Sequence, residues 1–461
     1  MAEKGKREEI RVGLIGLGTV GSGVVRVLRS NGELIRRRLG VPLRLVKAAD
    51  REASRARALE LSPEEFTTRA EELFTDESID VIVELIGGYD PAERYLAEAM
   101  RHGKCVVTAN KALLATAGER LFEEAGRHGV EIGFEASVGG GIPIIRALKE
   151  GLAANRIEGF SGIINGTANY ILTQMTESGT GFDEALVQAQ RAGYAEADPT
   201  FDIDGIDSAH KLAILAILAF GTPVNVKEIY TEGIRGLDAA DIGYARELGY
   251  RVKLLAIAKI SAGPKHETTN ETTNETTLEL RVHPTMVPSD ELIAEVEGVD
   301  NAIFVVGDAV GQTLFYGKGA GQLPTASAVV SDLIDIGRNL VRGAVGRVAP
   351  TGYRPDERLP LRVRPMAEIE SVYYLRFQAY DRPGVLSKIS GVLGHHGISI
   401  ASVIQKSRAL GAAVPLIMRT HRARELSVNR ALAEIDAGRD VAGRTVLMRI
   451  EGERDGDGDQ A

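Results

Sequence analysis

Short continuous apolar runs alternate with helically spaced apolar positions over the first third of the chain. That alternation predicts strands buried on both faces of a parallel sheet, with helices between them. Ile10 to Ile15 reads as a strand running into a glycine turn, and Val20 to Arg29 as the helix that follows. Leu43 to Ala49 and Asp80 to Ile86 (DVIVELI) are further strands. Pro91 opens a helix that ends at Gly103. Cys105 to Thr108 is a strand, Leu113 to His128 a helix and Glu131 to Ser137 a strand. The order predicts a doubly wound α/β domain over residues 1–150.

After Pro143 the texture changes to mixed α+β, which sets off residues 151–324 as a second domain. Ile157 to Ile164 reads as a strand, followed by the loop Asn165-Gly166-Thr167. Helices are expected at Tyr170–Ser178, Phe182–Ala192 and Ser208–Phe220. The polar near-repeat His266 to Thr277 (HETTNETTNETT) reads as a surface loop between strands Val252–Ile260 and Leu278–His283. A helix over residues 325–340 is expected to complete the first domain. Val345 to Pro365, rich in Pro, Gly and Arg, reads as a linker. Residues 366–451 form a compact unit, within which Tyr373 to Ile450 has the order strand, helix, strand, strand, helix, strand. Residues 452–461 read as an acidic, disordered tail.

Composition narrows the function. The chain has 461 residues, 44% hydrophobic and 26% charged, a globular balance with room for several cores. The net charge of -9 argues against nucleic acid and anionic membranes as partners. No apolar run is long enough to cross a bilayer and no export signal is visible, so the cytoplasm is the expected location. One cysteine, Cys105, excludes an internal disulfide and a multi-cysteine zinc site.

Gly16-Leu17-Gly18-Thr19-Val20-Gly21 is a GxGxxG pattern lying directly after a strand and before a helix. In that context it predicts a Rossmann-type dinucleotide site. Gly16 allows the turn, Gly18 lets backbone approach a pyrophosphate, Gly21 lets helix and strand pack, and the helix start at Thr19 and Val20 offers free N–H groups. Asp50, after the second strand, is placed to bond a ribose. It lies farther from the glycines than the usual ~20 residues, and the intervening segment SNGELIRRRLGVP accounts for the delay. Arg51 is placed instead to meet a 2′-phosphate, so the residues leave NAD and NADP both open. Gly87, Gly88 and Lys111 follow strand ends, where ligands of such sheets sit.

The segment Gly193 to Lys211 (GYAEADPTFDIDGIDSAHK) sets five carboxylates before a markedly apolar helix. Asp207 and Lys211 are i,i+4 and share a helical face. Lysine is rarely buried unless paired. A lysine balanced between desolvation and carboxylates suits a group that takes and returns a proton. The bland alternative is an exposed helix start with an ordinary ion pair, and periodicity does not choose between them. The aspartates do not have the spacing of an EF-hand. His210 is expected to be structural.

TANKALL around Lys111, FEASVGGGIPII (Phe134 to Ile145), INGTANYIL (Ile164 to Leu172), the Gly193 to Lys211 segment and YGKGAGQLPTA (Tyr316 to Ala326) together resemble the homoserine dehydrogenases, in that family's order. The resemblance covers Arg11 to about Leu340. It implies an NAD- or NADP-dependent interconversion of L-homoserine and L-aspartate 4-semialdehyde, in threonine and methionine biosynthesis. It implies Lys211 as general acid/base and Lys111 as a contact to cofactor and substrate. Glu196, Asp202, Asp207, Gly166, Thr167 and Tyr194 would form the substrate pocket, and Gly319 would lie near the cofactor. A sodium ion is implied near Glu135 and the carbonyls of Val138, Gly140 and Ile142; the alternative is that these glycines only form a sharp turn with Pro143 at the first helical position. Two other functions are weighed against this one: a different NAD(P)-dependent amino-acid oxidoreductase, and a non-catalytic dinucleotide-sensing regulator. Retention of Lys111 and Lys211 speaks against the regulator.

Tyr373 to Ile450 resembles an ACT domain, a ferredoxin-like βαββαβ module that commonly binds amino acids. Asp381, Gly384, Val385 and Leu386 stand where a strand ends before a helix whose N–H groups suit a carboxylate. Many ACT domains have asparagine where Ser399 stands. Threonine is the effector the resemblance implies, and a homodimer or homotetramer the assembly; a dimerisation module without ligand is the alternative.

Overall fold

The computed structural model describes residues 7–268, 271–406, 409 and 411–452. Packing divides the chain into two units. The first comprises residues 1–166, 207–227 and 300–361, the second residues 167–206, 228–299 and 362–461. Residues of the expected 151–324 domain therefore fall in both.

In the first unit, six parallel strands lie in the order β3-β2-β1-β4-β5-β6. They are β1 Ile10–Ile15, β2 Leu43–Ala49, β3 Phe66–Thr67, β4 Val81–Glu84, β5 Cys105–Thr108 and β6 Ile132–Gly133. Leu14 pairs with Val83 on one side of β1 and with Ala48 on the other. The strand order reverses beside β1, and the loops after β1 and β4 flank that switch point. Ile10, Val12 and Leu14 are fully buried in one core with Val24 of helix Thr19–Ser30 and Val329 and Leu333 of helix Gln322–Arg342. The expected closing helix thus packs on the first one.

β4 ends two residues before the apolar run does. The Glu84 carboxylate accepts the N–H groups of Ile86 (2.8 Å) and Gly87 (3.1 Å), and this bends the chain out of the sheet. β6 is also shorter than expected, because the chain enters a tight 3-10 turn at Glu135–Ser137. Strands Ile157–Ile163, Asp300–Gly307 and Gly311–Lys318 form an antiparallel group in the same unit. Helix Ile206–Phe220 is apolar on every side beyond Lys211, and all of Asp207 to Ala219 is buried.

In the second unit, strands Tyr250–Thr268 and Glu271–Pro288 pair antiparallel along their length. The polar repeat is therefore mostly strand, not a loop from His266 to Thr277; Asn270 and its neighbour at 269 lie outside the described residues. Strand Val446–Ile450 runs parallel to this hairpin at Thr285 and Met286 and antiparallel to strand Glu370–Tyr380. Strands Ala413–Thr420 and Ile400–Gln405 complete the C-terminal sheet. Helices Val385–His395 and Glu425–Asp436 cover it over Tyr373, Phe377, Leu393 and Val428. Buried Arg449 meets buried Glu425 at 2.6 Å within the C-terminal module and partly exposed Glu232 at 2.9 Å, and the second contact ties the module to the rest of its unit.

Val345 to Pro365 is not a bare linker. Arg358 pairs with Glu119 at 2.6 Å, Tyr353 Oη donates to the Ala219 carbonyl at 3.1 Å, and Leu361 N donates to Thr222 at 2.9 Å. Arg362–Val363 adds a short strand beside Thr277 and Leu278. Turn-rich composition hid these anchors. The expected tail from 453 onward lies outside the described residues.

Candidate active site

Three charged groups meet at the start of helix Ile206–Phe220. Lys211 Nζ lies 2.8 Å from Asp207 Oδ2, and Lys111 Nζ lies 2.7 Å from Asp207 Oδ1. Asp207 is 2% exposed and Lys211 8%. Burial alone would raise the Asp207 carboxyl, but the two ammonium groups outweigh it and hold the group well below the usual carboxylate range. Lys211 also donates to the Ile164 carbonyl at 2.6 Å, and Asn165 Nδ2 donates to Asp207 Oδ2 at 2.8 Å. His210 is buried beside them, and desolvation lowers its imidazole below the ordinary value.

Lys111 is placed from the other side of the first unit. Asn110 caps helix Lys111–His128 by accepting from Leu113 N at 3.2 Å, and its amide donates to the Gly88 carbonyl at 2.6 Å. Thr108 Oγ1 donates to Glu84 at 2.7 Å and accepts from Asn110 N at 3.0 Å. Buried Glu84, Thr108 and Asn110 thus fix both the Gly87–Gly88 loop and the start of the Lys111 helix. Sequence reading missed the roles of Glu84 and Thr108, because each looks like an ordinary strand end.

A cavity of about 460 Å³ opens over the glycine loop, lined by Gly16, Gly18, Asp50, Arg51, Gly87 and Tyr95 among others. Gly16 has φ +98°, and a Cβ on Gly21 would stand 1.9 Å from the Gly16 carbonyl oxygen, so both glycines are demanded by the fold. Gly18 differs: its φ is -65°, and a Cβ there would meet only Arg55 Nη1, at 4.0 Å. Nothing in the protein requires a glycine at that position, whereas a pyrophosphate on the helix N-terminus would. Asp50 Oδ2 accepts from Leu17 N at 2.6 Å and Oδ1 from Glu52 N at 2.9 Å. It braces the glycine loop itself, a use the sequence did not suggest. Arg51 is exposed at the rim.

Glu135 is buried and accepts the N–H groups of Ile145 and Arg146, both at 2.9 Å, so it caps the helical stretch from Ile144. Its own N–H donates to Asp332 Oδ2 at 2.8 Å. Burial raises the Glu135 carboxyl, and burial together with Glu135 raises Asp332 to about 7. Gly139 and Gly140 have positive φ, and a Cβ on Gly140 would strike the Gly319 carbonyl at 2.5 Å. Gly319 is itself pressed on Asn301, 2.0 Å from where its Cβ would be, so packing accounts for this glycine without a cofactor. No cluster of three His, Cys, Asp or Glu able to hold a metal occurs among the described residues. A cation near Val138, Gly140 and Ile142 would rest on backbone oxygens and one carboxylate.

Thr167, Tyr194, Glu196 and Asp202 belong to the second unit. There Thr167 Oγ1 donates to the Tyr194 carbonyl at 2.7 Å, the Tyr194 ring packs on Tyr170, and Glu196 is exposed. In the C-terminal module Gly384 has φ +89° before helix Val385–His395. Val385 is buried, Leu386 is exposed, and Asp381 accepts from Ala409 N at 2.9 Å. No helix among the described residues is long and apolar enough to cross a membrane.

Residues 16–135 match the family model described as "Homoserine dehydrogenase, NAD binding domain", residues 143–334 the model "Homoserine dehydrogenase" and residues 373–437 the model "ACT domain". The chain is 46% identical over 443 residues to a homoserine dehydrogenase of Pseudomonas aeruginosa, covering 96% of this chain and 99% of that one. A crystal structure of a homoserine dehydrogenase from Thiobacillus denitrificans superposes with a TM-score of 0.88 at 49% identity, over 96% of this chain and 98% of that one. A hyperthermophilic archaeal homoserine dehydrogenase mutant in complex with NADPH matches at 26% identity and a TM-score of 0.58, over 71% of this chain and 97% of its own.

Proposed function

The chain belongs to the homoserine dehydrogenase family, and we propose that Lys211 is the group that moves the proton in its reaction. That reaction is the NAD(P)-dependent interconversion of L-aspartate 4-semialdehyde and L-homoserine. One observation carries the reading: Lys211 Nζ is held at 2.8 Å by Asp207 and at 2.6 Å by the Ile164 carbonyl. These two contacts orient the ammonium group for delivery of a proton to a substrate oxygen. Lys211 donates it to the aldehyde oxygen during reduction and recovers it from the hydroxyl during oxidation. Lys111, Lys211 and Asp207 together carry a charge of +1, so surrender of one proton leaves a neutral trio. Lys111 shares Asp207 and stands ready to polarise the same oxygen.

The nicotinamide nucleotide, when bound, supplies or accepts the hydride. Gly16, Gly18, Thr19, Val20, Gly21, Asp50, Arg51, Gly87 and Gly88 would hold it, and the open space at Gly18 supports that placement. The NADPH complex of the archaeal relative makes NADP a candidate as well as NAD. Glu196, Asp202, Gly166, Thr167 and Tyr194 would recognise the amino acid, carboxylates being suited to an ammonium group. Oxygen-only donors around an under-compensated Glu135 fit a monovalent cation such as sodium, which would supply the missing positive charge. We further assign the nucleotide-binding role to residues 1–150 and threonine sensing to residues 366–451, in a cytoplasmic homodimer or homotetramer. Hydride transfer measured with homoserine and each nucleotide, in wild type and Lys211→Ala, tests the proton role. Loss of turnover with intact nucleotide binding supports it.

A further inference from the structure

Asn165 is 5% exposed and stands just past strand Ile157–Ile163. Its Nδ2 donates to Asp207 Oδ2 at 2.8 Å, the same oxygen that accepts Lys211 Nζ at 2.8 Å. The carbonyl of the preceding residue, Ile164, accepts from Lys211 at 2.6 Å. Two consecutive residues therefore grip both members of the pair, one the lysine and the other its carboxylate. The amide adds no charge of its own. It donates to the oxygen that Lys211 leans on, so it competes for the electron density that keeps the proton on the lysine.

We infer that Asn165 is a positioning residue for proton transfer: it fixes Asp207 Oδ2 and limits how tightly that oxygen holds the proton on Lys211. The inference rests on the reading of Lys211 given above. Among the described residues, Lys111 and His210 are charged or titratable groups beside Asp207.

Substitutions at Asn165 form a ladder. Asn165→Leu keeps the size and removes the donor; Asn165→Asp replaces the donor with a second negative charge beside Asp207; Asn165→Ser keeps a donor of shorter reach. Homoserine oxidation needs neutral Lys211, so its kcat/KM profile should move to higher pH as the counterion strengthens. The expected shift is about one pH unit for Asn165→Leu, larger for Asn165→Asp and smaller for Asn165→Ser. The shift is read from the whole profile of each variant, as the pH at which oxidation reaches half its plateau. The KM for the nucleotide should not move. Thermal unfolding identifies any variant that fails to fold, and Asn165→Ser, the mildest change, then carries the test. Shifts in the order Ser, Leu, Asp support the inference. A loss of activity with an unmoved profile overturns it. Lys211→Met, assayed alongside, separates the two levels: if it turns over normally, the reading of Lys211 falls and takes this inference with it; if it is inactive and the Asn165 profiles do not move, this inference alone falls.

Discussion

Asp207 holds Lys211 across one turn of a helix, 2.8 Å from carboxylate to ammonium, and with its other oxygen it holds Lys111 at 2.7 Å. One buried carboxylate thus serves two ammonium groups from two elements. Removing it takes the shared countercharge from both ammonium groups. Asp207→Asn should cost about 3–5 kcal/mol, as for other buried pairs broken on one side. It should also change the acid response. The folded carboxyl lies below its unfolded value, so its stabilisation is complete above about pH 4 and is lost as pH falls through the folded value. Urea unfolding at pH 7 and at pH 3 should therefore show a larger penalty at pH 7. Equal penalties at both would mean that Asp207 is not the counterion.

The glycine loop separates fold from ligand. Gly21→Ala should unfold or strongly destabilise the protein, because its Cβ would overlap the Gly16 carbonyl. Gly18→Ala should leave Tm within a few degrees and raise the KM for the nucleotide at least tenfold. Thermal shift with and without nucleotide distinguishes these outcomes. A stable Gly18→Ala protein with normal nucleotide affinity would remove Gly18 from the binding site.

These contrasts mark what was legible in the sequence. The GxGxxG turn, the parallel strands and the i,i+4 pair of Asp207 and Lys211 are local patterns, and each appears in the structure. Long-range partnerships were not legible. Nothing near Lys111 announces Asp207, and nothing near Glu84 announces Thr108. Asp50 stands where a ribose ligand is expected, after the second strand, but its oxygens accept the Leu17 and Glu52 N–H groups. The threonine-rich repeat has the polarity of a loop, but the β-propensity of threonine wins and it pairs as strand. The Val345 to Pro365 stretch was mistaken for a bare linker because anchors such as Arg358–Glu119 leave no periodic trace.

Sodium should stabilise the protein if a cation rests on Glu135 and the neighbouring carbonyls. Replacing a large organic cation by sodium at constant ionic strength should raise Tm, by the equivalent of about 2.7 kcal/mol at a hundred times Kd. Glu135→Gln should abolish the response. An identical Tm in both salts would leave Glu135 as a helix cap alone.

Threonine should inhibit the full-length enzyme, and Gly384→Asp should remove inhibition while activity persists. The new carboxylate would stand at the helix N-terminus where an effector carboxylate is expected. Inhibition requires threonine to prefer the inactive arrangement, since equal binding shifts nothing. The test needs the whole chain: Arg449 joins Glu232, and strand Val446–Ile450 pairs with Thr285 and Met286, so an excised C-terminal fragment would expose buried charge and a bare strand. Calorimetry and turnover at millimolar threonine decide. If threonine neither binds nor inhibits, the module serves assembly.

Proton transfer in this reaction is assigned to Lys211. Single-turnover hydride transfer, followed by nucleotide absorbance on homoserine oxidation, measures the chemical step directly. Lys211→Met should slow it by about 10²–10⁴-fold, with the nucleotide Kd and Tm little changed. A Lys211→Met enzyme that transfers hydride at the wild-type rate would contradict the account.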